Sequence, residues 1–538
     1  MHKYAFIRII ALLFAIVLIN PVSSSINPVF SLFEKNFNKT GSSIANESLI
    51  EELKLHENKT SSYIDIQAFT GLNGTGVKIG VISDGVSHLE DAVNAGVLPN
   101  SVHVLRNSVI SGDEGTAILE VLYKIAPNAD FYFVSHGKDK TEFRDGVSLL
   151  VDAGCKIICD DVEWREVPYF EDDWLSDYIN NTTKENDLLY VIGAGNDGLR
   201  HYQGLYYNNG SNFHDFSGGT LPKNASPEKF LITLPPYGNT EAILQWDDPW
   251  EDRENEYQLY VIDADNFSPL KTNNQVTLNK NPMETVVYVN PFNKSVNLSL
   301  LIENRNGTSK QKSLELFVFS PPSNPAVLDK RFVNATDAIY GHRSLPPVTS
   351  VGAVALDNPD TIEAFSSQGP VTHENNEMIL INKPDIVGID NISVSGAGGF
   401  GKDFYGTSAS VPYIAGISAL LWSQNLSQNS STIRNAMYKS AIDLGKPGWD
   451  PVYGYGRIDT LRMYLLLNGY PVRDLNDIVP EYEPVIKKNA SVINTELKEK
   501  AFIRYLKPVS PSVLSETSLY NGSKIFYRAL LLMQSTRH

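Results

Sequence analysis

Cysteine is scarce in this chain. Only two cysteines occur in 538 residues, Cys155 and Cys159. They are four positions apart on a predicted strand, and an extended backbone holds them roughly 13 Å apart, too far for a disulfide. The sequence therefore excludes the disulfide-rich class, and we expect both cysteines to be small, buried apolar residues. A chain of this length can stabilise itself through its hydrophobic core instead.

Positive charge is also in short supply. Lysine and arginine number 45 against 62 aspartates and glutamates, which gives a formal net charge of −17 at pH 7. This balance argues against nucleic-acid binding and favours a soluble protein. The histidines, cysteines and acids show no zinc-site spacing. We therefore predict no metal and no cofactor.

Long apolar runs are missing after the N-terminus. Residues 9–19 are apolar, follow Lys3 and Arg8, and precede small polar residues, as in a secretory signal peptide over residues 1–25. No later stretch is long enough to span a membrane, and an uncleaved N-terminal anchor is the alternative to cleavage. About eighteen Asn-x-Ser/Thr sites are typical of a glycosylated exterior. We expect a secreted protein or one at the extracellular surface.

Short apolar runs alternate with helical patterns through most of the chain, which predicts a mostly parallel sheet between helices. The predicted strands are Val77–Ile82, Phe131–Val134, Ile157–Cys159, Leu188–Ile192 and Ser350–Ala355. The predicted helices lie around 115–125, 139–152, 171–185 and 411–424.

The middle of the chain changes character. Residues 215–325 carry short alternating runs separated by turn signals, a pattern typical of an antiparallel β-sandwich inserted into the α/β domain. The predicted segments are a signal peptide (1–25), an N-terminal extension or short propeptide (26–64), a first domain half (65–205), the inserted sandwich (215–325), a second domain half (330–470) and a C-terminal extension (471–538).

A serine stands in the small-residue turn Gly406–Pro412, just before the apolar run Ile414–Trp422. Pro412 fits the first turn of a helix, so Ser408 is predicted at a helix N-terminus. Backbone N–H groups there favour developing negative charge, which suits a nucleophile attacking a carbonyl. The alternative is a Ser/Thr turn that caps a core helix.

Two other polar residues adjoin predicted strands. Asp84 follows the strand Val77–Ile82, and Asn196 lies in a glycine-rich turn after Leu188–Ile192. The carboxyl ends of parallel strands are where sites form in open α/β sheets. A side-chain amide in such a turn is a suitable oxyanion donor. We therefore expect Asp84, Asn196 and Ser408 to belong to one site.

These motifs resemble the subtilisin-like (subtilase) superfamily of serine peptidases. The matching segments, in order, are Val-Ile-Ser-Asp-Gly around Asp84, Gly-Ala-Gly-Asn-Asp-Gly around Asn196, Ala364–Pro370, Lys383–Val387, Gly-Thr-Ser-Ala-Ser-Val-Pro around Ser408, and Gly454–Asp459. The resemblance covers about residues 65–205 and 330–470. It implies an α/β subtilisin-like three-layer domain that acts on proteins or peptides.

One position departs from that family. Glu114 occupies the place of the family's catalytic histidine, as in the sedolisin branch with its Glu-Asp-Ser triad. Sedolisins also carry an acid four residues later and an aspartate in the oxyanion hole. This chain has Ile118 and Asn196 at those positions. The chain thus resembles a sedolisin-like variant on a subtilisin-like frame.

Glu114 is the predicted general base. An unperturbed glutamate has a pKa near 4.3 and is a weak base at neutral pH. Asp84 is expected nearby, and two carboxylates in one site raise one pKa and can share a proton. We therefore predict activity at acidic pH. The alternative makes Glu114 an N-terminal helix acid of an inactive relative, with Asp113 as N-cap.

Asp161 is a further candidate at the substrate cleft, and His88 and His136 are considered as alternative bases. Asp161 follows the strand Ile157–Cys159, and strand alternation favours Asp161 as the side chain that faces the substrate cleft. It is open whether it is the missing third acid, a group that binds a basic substrate, or a solvated strand end. His88 and His136 are interpreted as surface or capping histidines.

The sequence thus predicts a secreted serine-type endopeptidase that forms an acyl-enzyme on Ser408. Glu114 acts as base and is oriented by Asp84, and Asn196 contributes to the oxyanion hole. The alternative is a catalytically inactive, peptidase-like binding module at the cell exterior.

Overall fold

The computed structural model describes residues 63–108, 112–208, 210, 212–266, 268–272, 280–306, 311–375 and 377–469. The predicted signal peptide, nearly all of the N-terminal extension and the C-terminal extension lie outside these residues. In the described part, no helix is long and apolar enough to cross a membrane.

The first part of the chain alternates helices and strands. In order they are α1 (Tyr63–Thr70), β1 (Lys78–Ser83), α2 (Leu89–Asn94), β2 (His103–Arg106), α3 (Glu114–Ile125), β3 (Asp130–Ser135), α4 (Lys140–Asp152), β4 (Ile157–Asp160), α5 (Trp174–Glu185) and β5 (Leu189–Gly193). The predicted strands and helices of this part are all present, with ends that differ by at most three residues.

The middle of the chain is built of strands. They are β6 (His201–Leu205), β7 (Phe230–Leu234), β8 (Asn239–Trp246), β9 (Tyr257–Asp263), β10 (Pro269–Thr272), β11 (Met283–Val289), β12 (Val296–Asn304), β13 (Ser313–Phe319) and β14 (Val327–Leu328).

The last part returns to the α/β pattern. It contains β15 (Thr349–Ala355), β16 (Asn358–Ile362), β17 (Val371–Asn375), β18 (Glu377–Ile381), β19 (Ile386–Asp390), β20 (Ile392–Ser393), β21 (Asp403–Phe404), α6 (Thr407–Trp422), α7 (Ser430–Ser440) and α8 (Thr460–Leu467). Short 3-10 turns lie at Lys223–Ala225, Gly341–Arg343 and Ala397–Gly399.

The main sheet has eight strands in the order β16-β15-β5-β4-β1-β3-β2, with β19 also paired to β15. All pairs are parallel except β15 with β16. One face packs Ile82 and Val134 against Phe143 and Leu150 of α4. On the opposite face α3 and α6 pack against each other and the sheet. This three-layer arrangement confirms the predicted α/β fold class.

Two antiparallel sheets form the inserted sandwich. Their strand orders are β10-β9-β12-β7-β14 and β11-β8-β13-β6. Buried side chains from both sheets meet in one core, among them Phe230, Leu300, Leu244 and Trp246. The sandwich includes β6 and β14, so it extends beyond the predicted 215–325 at both ends.

Both cysteines are buried and free. Cys155 lies just before β4, and Cys159 lies within it. The prediction that both lie on one strand is therefore wrong. Burial raises the pKa of both thiols, to about 12 for Cys155. The expectation that they form no disulfide is confirmed.

Candidate active site

Helix α6 presents Ser408 in its first turn. Gly406 stands at the N-cap position with φ of +101°, a conformation that side chains other than glycine rarely adopt. The helix begins at Thr407, so Pro412 lies in the second turn and not in the first as the sequence suggested. Because proline has no N–H, Pro412 cannot bond the carbonyl of Ser408 four residues earlier.

Asn196 lies beside this turn. Its Oδ1 accepts hydrogen bonds from the backbone N–H of Thr407 at 3.0 Å and from the Thr407 hydroxyl at 3.2 Å. A Cβ at Gly406 would lie 3.3 Å from the Asn196 Nδ2. With the oxygen engaged, the amide N–H₂ is the group that Asn196 can direct at a substrate near Ser408.

Asp84 docks the start of α3 against β1. Its Oδ1 accepts from the backbone N–H groups of Gly85, Glu114 and Gly115, the last two at 3.0 and 3.3 Å. Asp84 therefore contacts Glu114 through the backbone and acts on its carboxyl as a nearby charge. Burial raises the pKa of Asp84, and the three backbone donors oppose that rise.

The predicted N-cap of α3 does not cap it. Asp113 occupies the N-cap position, but its side chain makes no capping hydrogen bond. Its oxygens instead accept from the backbone N–H of His88 at 2.7 Å and meet the ring Nδ1 of His88 at 2.6 Å. This contact with Asp113 raises the pKa of His88. The helix N-terminus is capped by Asp84 in place of Asp113.

The Glu114 side chain is partly buried and lies close to the side chains of Ser408 and Asp161. Burial and the charge of Asp84 raise the pKa of Glu114 to about 7. Hydrogen bonding from Ser408 and Asp161 opposes this rise. Four sequence-predicted residues thus lie together here: Asp84, Glu114, Asp161 and Ser408.

Asp161 is not the solvated strand end that the sequence allowed. The Ser83 hydroxyl donates to its Oδ2 at 3.0 Å, and the Glu114 carboxyl lies close by. Burial, then Glu114, then Asp160 and Asp84 raise the pKa of Asp161 well above its usual value.

The neighbouring Asp160 points elsewhere, as strand alternation predicts. It accepts from the Tyr190 hydroxyl at 2.7 Å and lies 3.0 Å from the His342 Nε2. His136, a candidate for an alternative base, packs its ring edge-on against Trp164 with centroids 6.2 Å apart. Neither His88 nor His136 lies on α3, the helix that carries Glu114.

Sequence reasoning missed a buried charge cluster that begins two residues after Asp161. The Glu163 carboxylate accepts from the Tyr340 hydroxyl at 2.8 Å and pairs with Arg343 at 3.4 Å. Burial opposes ionisation of Glu163, but Arg343 and Arg165 outweigh it and lower its pKa to about 2. Arg343 follows Glu163 only after the sandwich insert, so no local motif could have linked them.

The family comparison agrees with this architecture. The model of the subtilase family matches residues 286–456, which include Ser408 but not Asp84, Glu114 or Asn196.

Two curated proteins are similar to part of this chain. The human membrane-bound transcription factor site-1 protease is 34% identical over 139 residues, which are 24% of this chain and 13% of that protein. The subtilisin-like protease SBT6.1 of Arabidopsis thaliana is 31% identical over 144 residues, 25% of this chain and 14% of that protein. The matched region thus spans only about a seventh of each relative.

The fold also has a solved counterpart. The CspB protease of Clostridium perfringens superposes with a TM-score of 0.51 at 16% identity, covering 76% of this chain and 98% of that one. This likeness shows a shared fold.

Proposed function

We propose that this protein is a serine-type endopeptidase with Ser408 as nucleophile and Glu114 as general base. The observation that carries the proposal is the proximity of the Glu114 carboxyl to Ser408, whose hydroxyl acts on that carboxyl as a hydrogen-bonding group and lowers its pKa. A nucleophile in contact with a base is the arrangement that acyl-transfer chemistry requires. Two further residues belong to the proposed catalytic site. Asn196 hydrogen-bonds to Thr407 at the start of α6, and Asp84 accepts from backbone N–H groups at the start of α3.

The proton balance can be followed through both half-reactions. Glu114 takes the hydroxyl proton as the Ser408 oxygen attacks the peptide carbonyl, and the Asn196 amide donates to the oxyanion. Collapse of the tetrahedral intermediate breaks the C–N bond, and Glu114 returns the proton to the leaving nitrogen. Water then attacks the acyl-enzyme by the same route, and Ser408 regains its proton.

The pH dependence follows from the state of Glu114. The base form of Glu114 is the carboxylate, so activity rises as this group loses its proton. Since burial and Asp84 raise its pKa to about 7, the rising limb is expected near neutral pH. This revises the acidic optimum expected from the sequence, which rested on an acid pair of Asp84 and Glu114 sharing one proton.

The setting of the reaction is part of the same proposal. The N-terminal residues 1–25 have the pattern of a secretory signal, and Asn-x-Ser/Thr sites are frequent. We expect a glycosylated protein that is secreted or held at the extracellular surface and cleaves proteins or peptides there.

The test measures cleavage of a peptide library and labelling by a fluorophosphonate probe from acidic to alkaline pH. Ser408→Ala should abolish both, and Glu114→Gln should lower kcat by about 10²–10⁴-fold. Glu120→Gln is the matched control, because Glu120 is a buried acid on α3 that bonds Ser395 and not Ser408. Its kcat should stay within about twofold of wild type.

Two results would refute parts of the proposal. If folded protein neither cleaves nor labels at any pH, the chain is the non-catalytic binding module. If Glu114→Gln retains wild-type kcat, Ser408 uses another base.

A further inference from the structure

The carboxyl of Asp161 completes a continuous chain of polar contacts behind the nucleophile. The Ser83 hydroxyl at the end of β1 donates to Asp161 at 3.0 Å. The Asp161 carboxyl lies close to that of Glu114, which in turn lies close to Ser408. These residues come from β1, the end of β4 and the starts of α3 and α6. The contacts extend the proposed function, on which the following inference rests.

We propose that Asp161 is the positioning residue of this site, a protonated carboxyl that donates a hydrogen bond to Glu114 and shares its proton with that carboxylate. Two carboxylates in contact cannot both hold full negative charge in a buried site. One proton between them turns repulsion into a strong, charge-assisted hydrogen bond.

The surrounding contacts assign the proton to Asp161. The other nearby acids, Asp84 and Asp160, already accept from backbone or side-chain donors. Ser83 occupies Oδ2 of Asp161 as a donor, which leaves the remaining oxygen for Glu114. Burial, then Glu114, Asp160 and Asp84, raise the pKa of Asp161 and outweigh the opposing hydrogen bond from Ser83, in keeping with a neutral group.

The arrangement differs from the triad that the sequence resembles. In sedolisins the additional acid stands on the same helix as the glutamate, four residues later, where this chain has Ile118. Here the acid arrives from the end of β4, which pairs directly with β1. Asp161 keeps its own proton during the reaction, while the second oxygen of Glu114 receives and returns the proton of Ser408.

The test compares Asp161→Asn and Asp161→Ala in full kcat and KM profiles against pH. Asparagine keeps an N–H donor for Glu114 but cannot ionise. In wild type, loss of the Asp161 proton at alkaline pH should remove its hydrogen bond to Glu114 and give the profile a falling, alkaline limb. For Asp161→Asn we expect the rising limb to stay in place, the alkaline limb to vanish, and kcat to fall by no more than about 10-fold. Alanine removes the donor, so its rising limb should move to higher pH and kcat should fall by about 100-fold.

Other roles for Asp161 predict different profiles. If Asp161 has a purely structural role, the variants lose activity but both limbs of their pH profiles stay where they are in wild type. If Asp161 binds substrate, only KM changes. Either result overturns the inference. Glu315→Gln is the control, because Glu315 is a buried acid in β13 of the sandwich whose pKa is also raised by burial. Its pH profile should match that of wild type.

A readout without catalysis separates this inference from the proposed function. If wild type neither cleaves nor labels, the proposed function fails, and thermal unfolding then decides about Asp161. A carboxyl with a folded pKa above its unfolded value of about 4 makes the folded state less stable as pH rises between the two. Wild type should therefore lose Tm relative to Asp161→Asn over that interval. A Tm difference that does not vary with pH would contradict a protonated Asp161.

Discussion

Replacing Gly416 by alanine tests whether close packing of α6 on α3 sets the distance between Ser408 and Glu114. A Cβ at Gly416 would lie 3.0 Å from the Cβ of Ile125 and 3.1 Å from both its Cγ2 and Cδ1. Carbon atoms settle at about 3.5–4.0 Å, so the two helices would have to separate locally by about 0.5 Å.

Two opposing terms set the stability of this variant. Alanine improves helix propensity by about 1 kcal/mol over glycine. Overpacking of a filled core costs about 1–3 kcal/mol. Because the Cβ of Ile125 is attached directly to the backbone and cannot rotate away, we expect the second term to win. The net loss in the free energy of unfolding should be about 1 kcal/mol, measured from urea midpoints.

The same strain should reach the site. Gly416 lies eight residues beyond Ser408, about 12 Å along the helix axis, so only part of the displacement arrives there. A misplacement of about 1 Å can cost about 10²-fold in rate, and we expect a loss of about 10-fold in kcat with little change in KM. Ser418→Ala is the control, because Ser418 is buried on the same helix and only bonds back to the carbonyl of Ile414. A Gly416→Ala variant that is more stable than wild type, with unchanged kcat, would refute the packing argument.

Three further predictions concern stability and reactivity. Gly406→Ala should destabilise the fold by about 1–2 kcal/mol in denaturant titrations, because φ of +101° strains an L side chain. Cys155 and Cys159 should react with a thiol reagent only after denaturation, since both are buried with raised pKa values; rapid labelling of the folded protein would contradict this. Lys383→Met should cost about 3–5 kcal/mol in thermal unfolding, because it leaves the Asp385 carboxylate, now 2.5 Å from the ammonium, without its cation. A cost below about 1 kcal/mol would show that this ion pair is dispensable.

The sequence by itself determined the α/β class, because strands buried on both faces must be continuously apolar. The run before Asp84 became β1, and the run before Asn196 became β5, with ends shifted by one residue. The sandwich was also visible, since strands with one exposed face alternate. The limits of the sandwich could not be predicted from the sequence. In the sequence β6 looks like a continuation of the first domain half, and only its pairing with β13 assigns it to the sandwich.

The tertiary structure alone decided which acids meet. Asp84 lies near the Glu114 carboxyl, as expected, but its hydrogen bonds go to the backbone N–H groups at the start of α3. Asp161 also lies close to that carboxyl, and we propose that it positions Glu114. The sheet order β4-β1-β3 places Asp161 next to Ser83, and no spacing along the chain encodes that order. The same is true of Glu163 and Arg343, which meet across the insert. Local sequence fixes how a segment folds and which groups it carries, whereas contacts between distant segments depend on the packing of the whole domain.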